Sequence, residues 1–157
     1  MGVNYERQTV SYQRKQIQKL LKNRLDTTKV GRRAYYREMQ KTRLVISPFG
    51  FGEITLKDFE AILCGATLLK PDVSHMETWP NLFVSGKTIL THEWDLSDFI
   101  EKISTAHSCP HQLQKLAECA QETYRADLEK KTTQTGFCTR ILNIVRDTVS
   151  AVEPHAT

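Results

Sequence analysis

The sequence predicts a three-layer α/β domain with a small parallel sheet of three to four strands and helices at both ends of the chain. Three observations carry this reading. Residues 43–80 run in order as apolar stretch, glycine-bearing loop, amphipathic helix, second apolar stretch and polar loop. Strands joined through a helix pair in parallel, because the crossover returns the chain to the same end of the sheet. The apolar stretches are short and continuous rather than alternating, which is the profile of strands covered on both faces.

The elements follow from local chemistry. From Ser11 to Leu25, Ile17, Leu20, Leu21 and Leu25 recur at spacings of three and four among basic residues, which predicts an amphipathic helix. After a break at Thr27–Val30, residues Gly31–Thr42 form a second, more polar helix, on which the adjacent Tyr35 and Tyr36 would fall on different sides. Leu44-Val45-Ile46 is a buried strand ended by Ser47-Pro48, and Phe49-Gly50-Phe51-Gly52 is a flexible loop. Thr55, with Asp58 three residues on, marks a helix start of the capping-box kind, and Gly65 marks its end. Thr67-Leu68-Leu69 is the second strand, broken by Lys70-Pro71-Asp72. Leu82-Phe83-Val84 and a Ser85-Gly86 turn signal precede Thr88–Thr91, which reads as a further strand. Helices are expected over Asp95–Ile103 and Ser108–Lys131, the latter tolerating Pro110 in its first turn. Gly136 separates these from a last helix, Phe137–Val152, with Ile141, Ile144, Val145 and Val149 on its buried side.

Residues 1–42 thus make a basic helical segment, 43–152 the α/β domain, and 153–157 a frayed tail. At 157 residues, 39% hydrophobic and 25% charged, the composition is that of a single globular domain with a real core. No apolar run approaches a membrane span, and the opening MGVNYERQ lacks the apolar core of a signal peptide, so a cytoplasmic location is expected. Charge is uneven: residues 1–50 hold 12 Lys/Arg against 3 Asp/Glu, a net +9, and the remainder holds 10 against 15, a net −5. That basic third either covers a solvated helical face or meets an acidic partner, a membrane surface or nucleic acid. Nucleic acid fits least, because no aromatic stacking pattern accompanies the charges.

Cys64, Cys109, Cys119 and Cys138 form no CxxC pair, and reduced thiols are expected. His107, Cys109 and His111 invite a metal reading, but ligands at steps of two do not converge from a helix, so no metal is expected. Walker loops, GxGxxG fingerprints and Ser-His-Asp constellations are absent from the sequence.

In an open α/β sheet, ligands bind beyond the carboxyl ends of parallel strands. The two loops of the 43–80 unit would lie there, bringing together Glu53, Asp72, His75, Glu77 and the glycines Gly50 and Gly52. Bland readings stand beside the functional ones: Glu60 as an exposed helical carboxylate, Glu53 as a loop charge, His75 as a surface histidine, and Trp79 as a packing anchor rather than a base-stacking platform.

Gly50-Phe51-Gly52, Glu60-Ala61 with Gly65 four residues after Ala61, and the apolar Ala66–Leu69 resemble the core of the "glycosyl transferases group 1" proteins. Those are GT-B enzymes with two Rossmann-like domains, and the likeness is to the C-terminal, nucleotide-sugar-binding one, over roughly Arg43 to Ala126. The resemblance implies a Rossmann-like fold and hexosyl transfer from a nucleoside-diphosphate sugar, bound as substrate with no cofactor. It implies that Glu60 bonds the ribose hydroxyls, a role that suits an acceptor-only carboxylate facing two donors. A second family carboxylate, facing the donor sugar, has its nearest counterpart in Glu53. Gly50, Phe51 and Gly52 would line the donor, and Lys70, Ser74 or His75 would meet the diphosphate. The family's N-terminal acceptor domain has no counterpart in this chain, so a missing Rossmann-like domain or a second copy is an expected partner, and peripheral membrane contact is open. The other expectation is a non-catalytic interaction module that docks through its basic N-terminal helices.

Overall fold

The computed structural model describes residues 8–129 and 132–152. The expected tail at 153–157 lies outside these residues, as does Lys131, the expected end of the long helix. Six helices and three strands follow in the order α1 (Gln8–Leu21), α2 (Arg32–Met39), β1 (Leu44–Ile46), α3 (Leu56–Leu63), β2 (Thr67–Pro71), β3 (Leu90–His92), α4 (Phe99–Ser108), α5 (Pro110–Glu129) and α6 (Thr132–Val152). The sheet is parallel in the order β1-β2-β3, with Val45 beside Leu68 and Lys70 beside Thr91. The fold is α/β and Rossmann-like, with helices at both chain ends.

Alternation along β2 divides the core. Leu68 joins Met39, Ile62, Leu82, Phe83 and Ala120 on the face covered by α3 and α5. Leu69 points the other way, to Ile17 and Leu21 of α1 and Phe99 of α4. Each of these buried side chains except Ala120 contributes about 1.5–3 kcal/mol relative to exposure. The first basic helix is therefore part of one core layer.

Several boundaries differ from expectation. Strand β2 continues through Lys70 and Pro71. Proline is tolerated at its last position because the next ladder donor is the Asp72 N–H, bonded to the His92 carbonyl at 3.0 Å. Strand β3 spans Leu90–His92 rather than Thr88–Thr91; before it, Leu82 and Phe83 are buried and Ser85 meets Ile89 in an isolated bridge. The Thr88 hydroxyl accepts from the Val84 N–H at 2.9 Å and donates to the Leu82 carbonyl at 2.7 Å, taking bonds that a neighbouring strand would otherwise make. Helix α4 begins at Phe99 rather than Asp95, because Asp95 accepts from the Ser97 N–H and Asp98 from the Glu93 N–H, both within the preceding turn. Gly136 lies inside α6 rather than before it, beside the Trp79 ring. Ile141, Ile144, Val145 and Val149 are exposed, not buried: beyond Arg140 no part of this chain covers them among the described residues.

Candidate functional site

The loop after β1 is fixed from beneath by a buried charge pair. Asp58, in the first turn of α3, accepts the Thr55 N–H at 2.9 Å, completing the expected helix start. The same carboxylate takes the Ser47 hydroxyl and sits 2.8 Å from the Lys70 ammonium. Both charged side chains are wholly buried. Lys70 also donates to the Glu53 carbonyl at 2.7 Å and lies over the Phe83 ring. A pair of this kind positions its surroundings more surely than it stabilises them, since desolvation offsets much of the attraction.

From the other side, α1 clasps the loop. The Gln13 side-chain carbonyl accepts the Phe49 N–H at 3.2 Å, and the nearly buried Arg14 donates to the Phe49 carbonyl at 3.0 Å. Both peptide groups of an otherwise irregular segment are thereby satisfied.

Above this frame opens a cavity of about 830 Å³, between the Gly50–Thr55 loop, the first turns of α3 and the α1–α2 connection. Gly50, Phe51, Gly52 and Glu60 all line it, joined by Tyr35 and Lys57. The Glu60 carboxylate is held by two phenols: Tyr35 donates to Oε2 at 3.0 Å and Tyr36 to Oε1 at 2.5 Å. Burial first, then the bond to Glu60, pushes the Tyr35 hydroxyl well above its ordinary range, and for Tyr36 the bond to Glu60 leads. The two tyrosines do not fall on different sides as expected. Their ring centroids are 5.3 Å apart, and the length of the phenol lets both hydroxyls converge on one carboxylate. Burial, then Arg14, lowers the Lys57 ammonium.

The second loop forms a rim outside that cavity. His75 Nε2 lies 4.0 Å from Glu53 Oε1, both side chains being well exposed. The His75 ring meets Trp94 edge-on at 5.6 Å, and Trp94 meets Phe49 likewise at 5.2 Å. The Trp94 indole N–H donates to the Asp72 carbonyl at 2.7 Å, tying the loops after β2 and β3 together. Ser74 gives its hydroxyl to Asp72 at 2.7 Å, which holds that carboxyl below its usual range. Glu77 pairs with Arg140 of α6, whose guanidinium lies 5.7 Å from the Trp79 ring centre. Trp79 thus meets α6 with one face while 45% of it stays exposed.

The residues expected at a site fall into three groups. Gly50, Phe51, Gly52 and Glu60 share the cavity. Glu53 and His75 adjoin each other on the rim, with Ser74 tied to Asp72 beside them. Lys70 is enclosed, with donors directed to Asp58 and Glu53. Tyr35, Tyr36, Lys57 and Trp94 escaped the sequence reading; only the aromatic character of the Tyr35-Tyr36 pair offered a signal.

Residues 7–132 match the model of a glycosyl transferase-like family. The chain belongs to that family. The match runs from the start of the described α1 past the end of α5, so it takes in the helices that clasp and line the cavity as well as the sheet. No curated protein and no solved structure matches this glycosyl transferase-like chain. No helix among its described residues is long and apolar enough to cross a membrane, and no three His, Cys, Asp or Glu side chains among them gather as a metal-binding group.

Proposed function

We propose that the chain binds a nucleoside-diphosphate sugar in this cavity and presents it for glycosyl transfer, as the donor half of a GT-B type enzyme. The observation that carries this is Glu60: a carboxylate at the wall of an 830 Å³ cavity beside the Gly50–Gly52 loop, in a chain of a glycosyl transferase-like family. That volume is in the range of small-molecule sites. Each Glu60 oxygen accepts one phenol and keeps a second lone-pair direction for a ribose hydroxyl. Gly52, with nothing within 4 Å of where a Cβ would sit, leaves room for a ligand close to the backbone. Lys57 and Arg14 supply positive charge on the same wall for the diphosphate. His75 and Glu53, 4.0 Å apart outside the cavity, would meet the sugar. The protein's contribution would be to orient the donor and to stabilise the departing diphosphate electrostatically, with the acceptor held by a second domain.

Calorimetric titration of UDP-, GDP- and ADP-sugars against wild type and Glu60→Ala tests this. One nucleotide class should bind, and Glu60→Ala should weaken it at least tenfold, a loss of roughly 1.4 kcal/mol or more. Equal affinities would remove Glu60 from the site, and no binding by any donor would overturn the proposal.

A second reading has its own observation: all ten Lys and Arg residues from Lys15 to Arg43 are exposed, against Asp26 and Glu38. These helices would dock on an anionic surface. Binding to anionic vesicles should then fall steeply with salt, and absence of association at low salt would eliminate it.

A further inference from the structure

Helix α6 presents an apolar stripe to solvent. Phe137, Ile141 and Ile144 are 50%, 44% and 51% exposed, and Leu142, Val145 and Val149 flank them at 53–62%. A lone chain rarely leaves so continuous a patch uncovered. Gly136 and Arg140 turn one side of the helix toward Trp79 and Glu77, which fixes its rotation and leaves the stripe facing outward.

The spacing identifies what fits there. Phe137, Ile141, Ile144 and Thr148 step by four, three and four, the repeat of a seam between two paired helices. Thr148 spends its hydroxyl on the Ile144 carbonyl at 2.7 Å, leaving its methyl for the seam. Beside the seam stand Arg140 and Asp147, seven residues apart and of opposite sign. If a second α6 is laid antiparallel so that Ile141 meets Ile144 of the other copy, and Phe137 meets Thr148, then Arg140 falls opposite Asp147 in both directions. A parallel pairing gives those charges no partner. Phe137, Ile141, Ile144 and Val145, at about half exposure, offer on the order of 350 Å² per copy, so a pair would bury roughly 700 Å² of apolar surface before the Thr148 methyl and the Arg140 and Asp147 stems are added, a small interface.

We propose that two copies of this chain associate through an antiparallel α6 pair, with Ile141 and Ile144 at its centre and Arg140 facing Asp147 across it. The Arg140 guanidinium has donors enough to keep Glu77 and accept the second carboxylate.

Analytical ultracentrifugation of the full chain at tens of micromolar should show a dimer. Ile141→Asp with Ile144→Asp should be monomeric, with an unchanged far-UV circular dichroism spectrum confirming that the exposed substitutions leave the fold intact. Asp147→Arg and Arg140→Asp alone should each weaken self-association about tenfold or more, and mixing the two variants should restore it, because the mixed pair regains both contacts. A monomeric wild type would overturn the proposal, including one whose stripe is instead covered by a different protein. A dimer that survives the double aspartate variant, or variants that do not rescue each other, would overturn it too.

Discussion

Lys70 and Asp58 meet at 2.8 Å with both side chains removed from solvent, and this pair connects the central strand to the helix that carries Glu60. Lys70→Met should therefore cost about 3–5 kcal/mol, because it leaves a buried carboxylate without its counter-charge. Lys70→Met combined with Asp58→Asn should cost less than the sum of the two single changes. Urea unfolding of the three variants measures both the size and the coupling.

Tyr35 should resist ionisation. In a spectrophotometric titration Tyr35, buried and bonded to Glu60, should stay protonated well beyond the ordinary tyrosine range near 10. Glu60→Gln should bring Tyr35 part of the way back. The linkage has a definite sign: above pH 10 the unfolded chain loses this proton and the folded chain keeps it, so stability falls as pH rises through that region.

His92 behaves in the opposite pH range. It is buried at the end of β3, with Nδ1 2.8 Å from the Glu93 carbonyl and Nε2 without a hydrogen-bond partner among the described residues, against the Phe99 ring. Burial lowers its imidazolium below the ordinary 6.5, outweighing the backbone bond and Asp98, which raise it. The unfolded chain takes up a proton as pH falls through 6.5 and the folded chain does not, so stability present above 6.5 is lost toward acid. His92→Leu should flatten the pH dependence of the urea midpoint below 6.5.

Gly65 closes α3 at φ +76°, in the left-handed region. Gly65→Ala should cost about 1 kcal/mol, and Gly65→Asn less, since asparagine enters that region more readily. Thermal unfolding of both variants checks the order.

The parts of the fold visible in the sequence are those decided locally. Strand β1, the Thr55–Asp58 start of α3 and its Gly65 stop each depend on neighbours within a few residues. The grouping of Gly50, Phe51, Gly52 and Glu60 was visible because one short motif carries all four. What stayed hidden was set by distant contacts. Tyr35 and Tyr36 reach Glu60 across 25 and 24 residues, and helical spacing alone separated them. Lys70 read as a loop cation because the proline after it argued for a strand break, yet the strand continues and Asp58 supplies the counter-charge that lets Lys70 be buried. For α6 the periodicity announced an apolar face without saying that the described residues leave it open.

The grip of Gln13 and Arg14 on Phe49 carries a practical consequence. The change in composition near residue 43 is one of charge, and packing runs straight across it. A shortened protein starting at Arg43 would lose the phenols at Glu60 and leave the Phe49 peptide groups to water, so any minimal version must retain the opening helices.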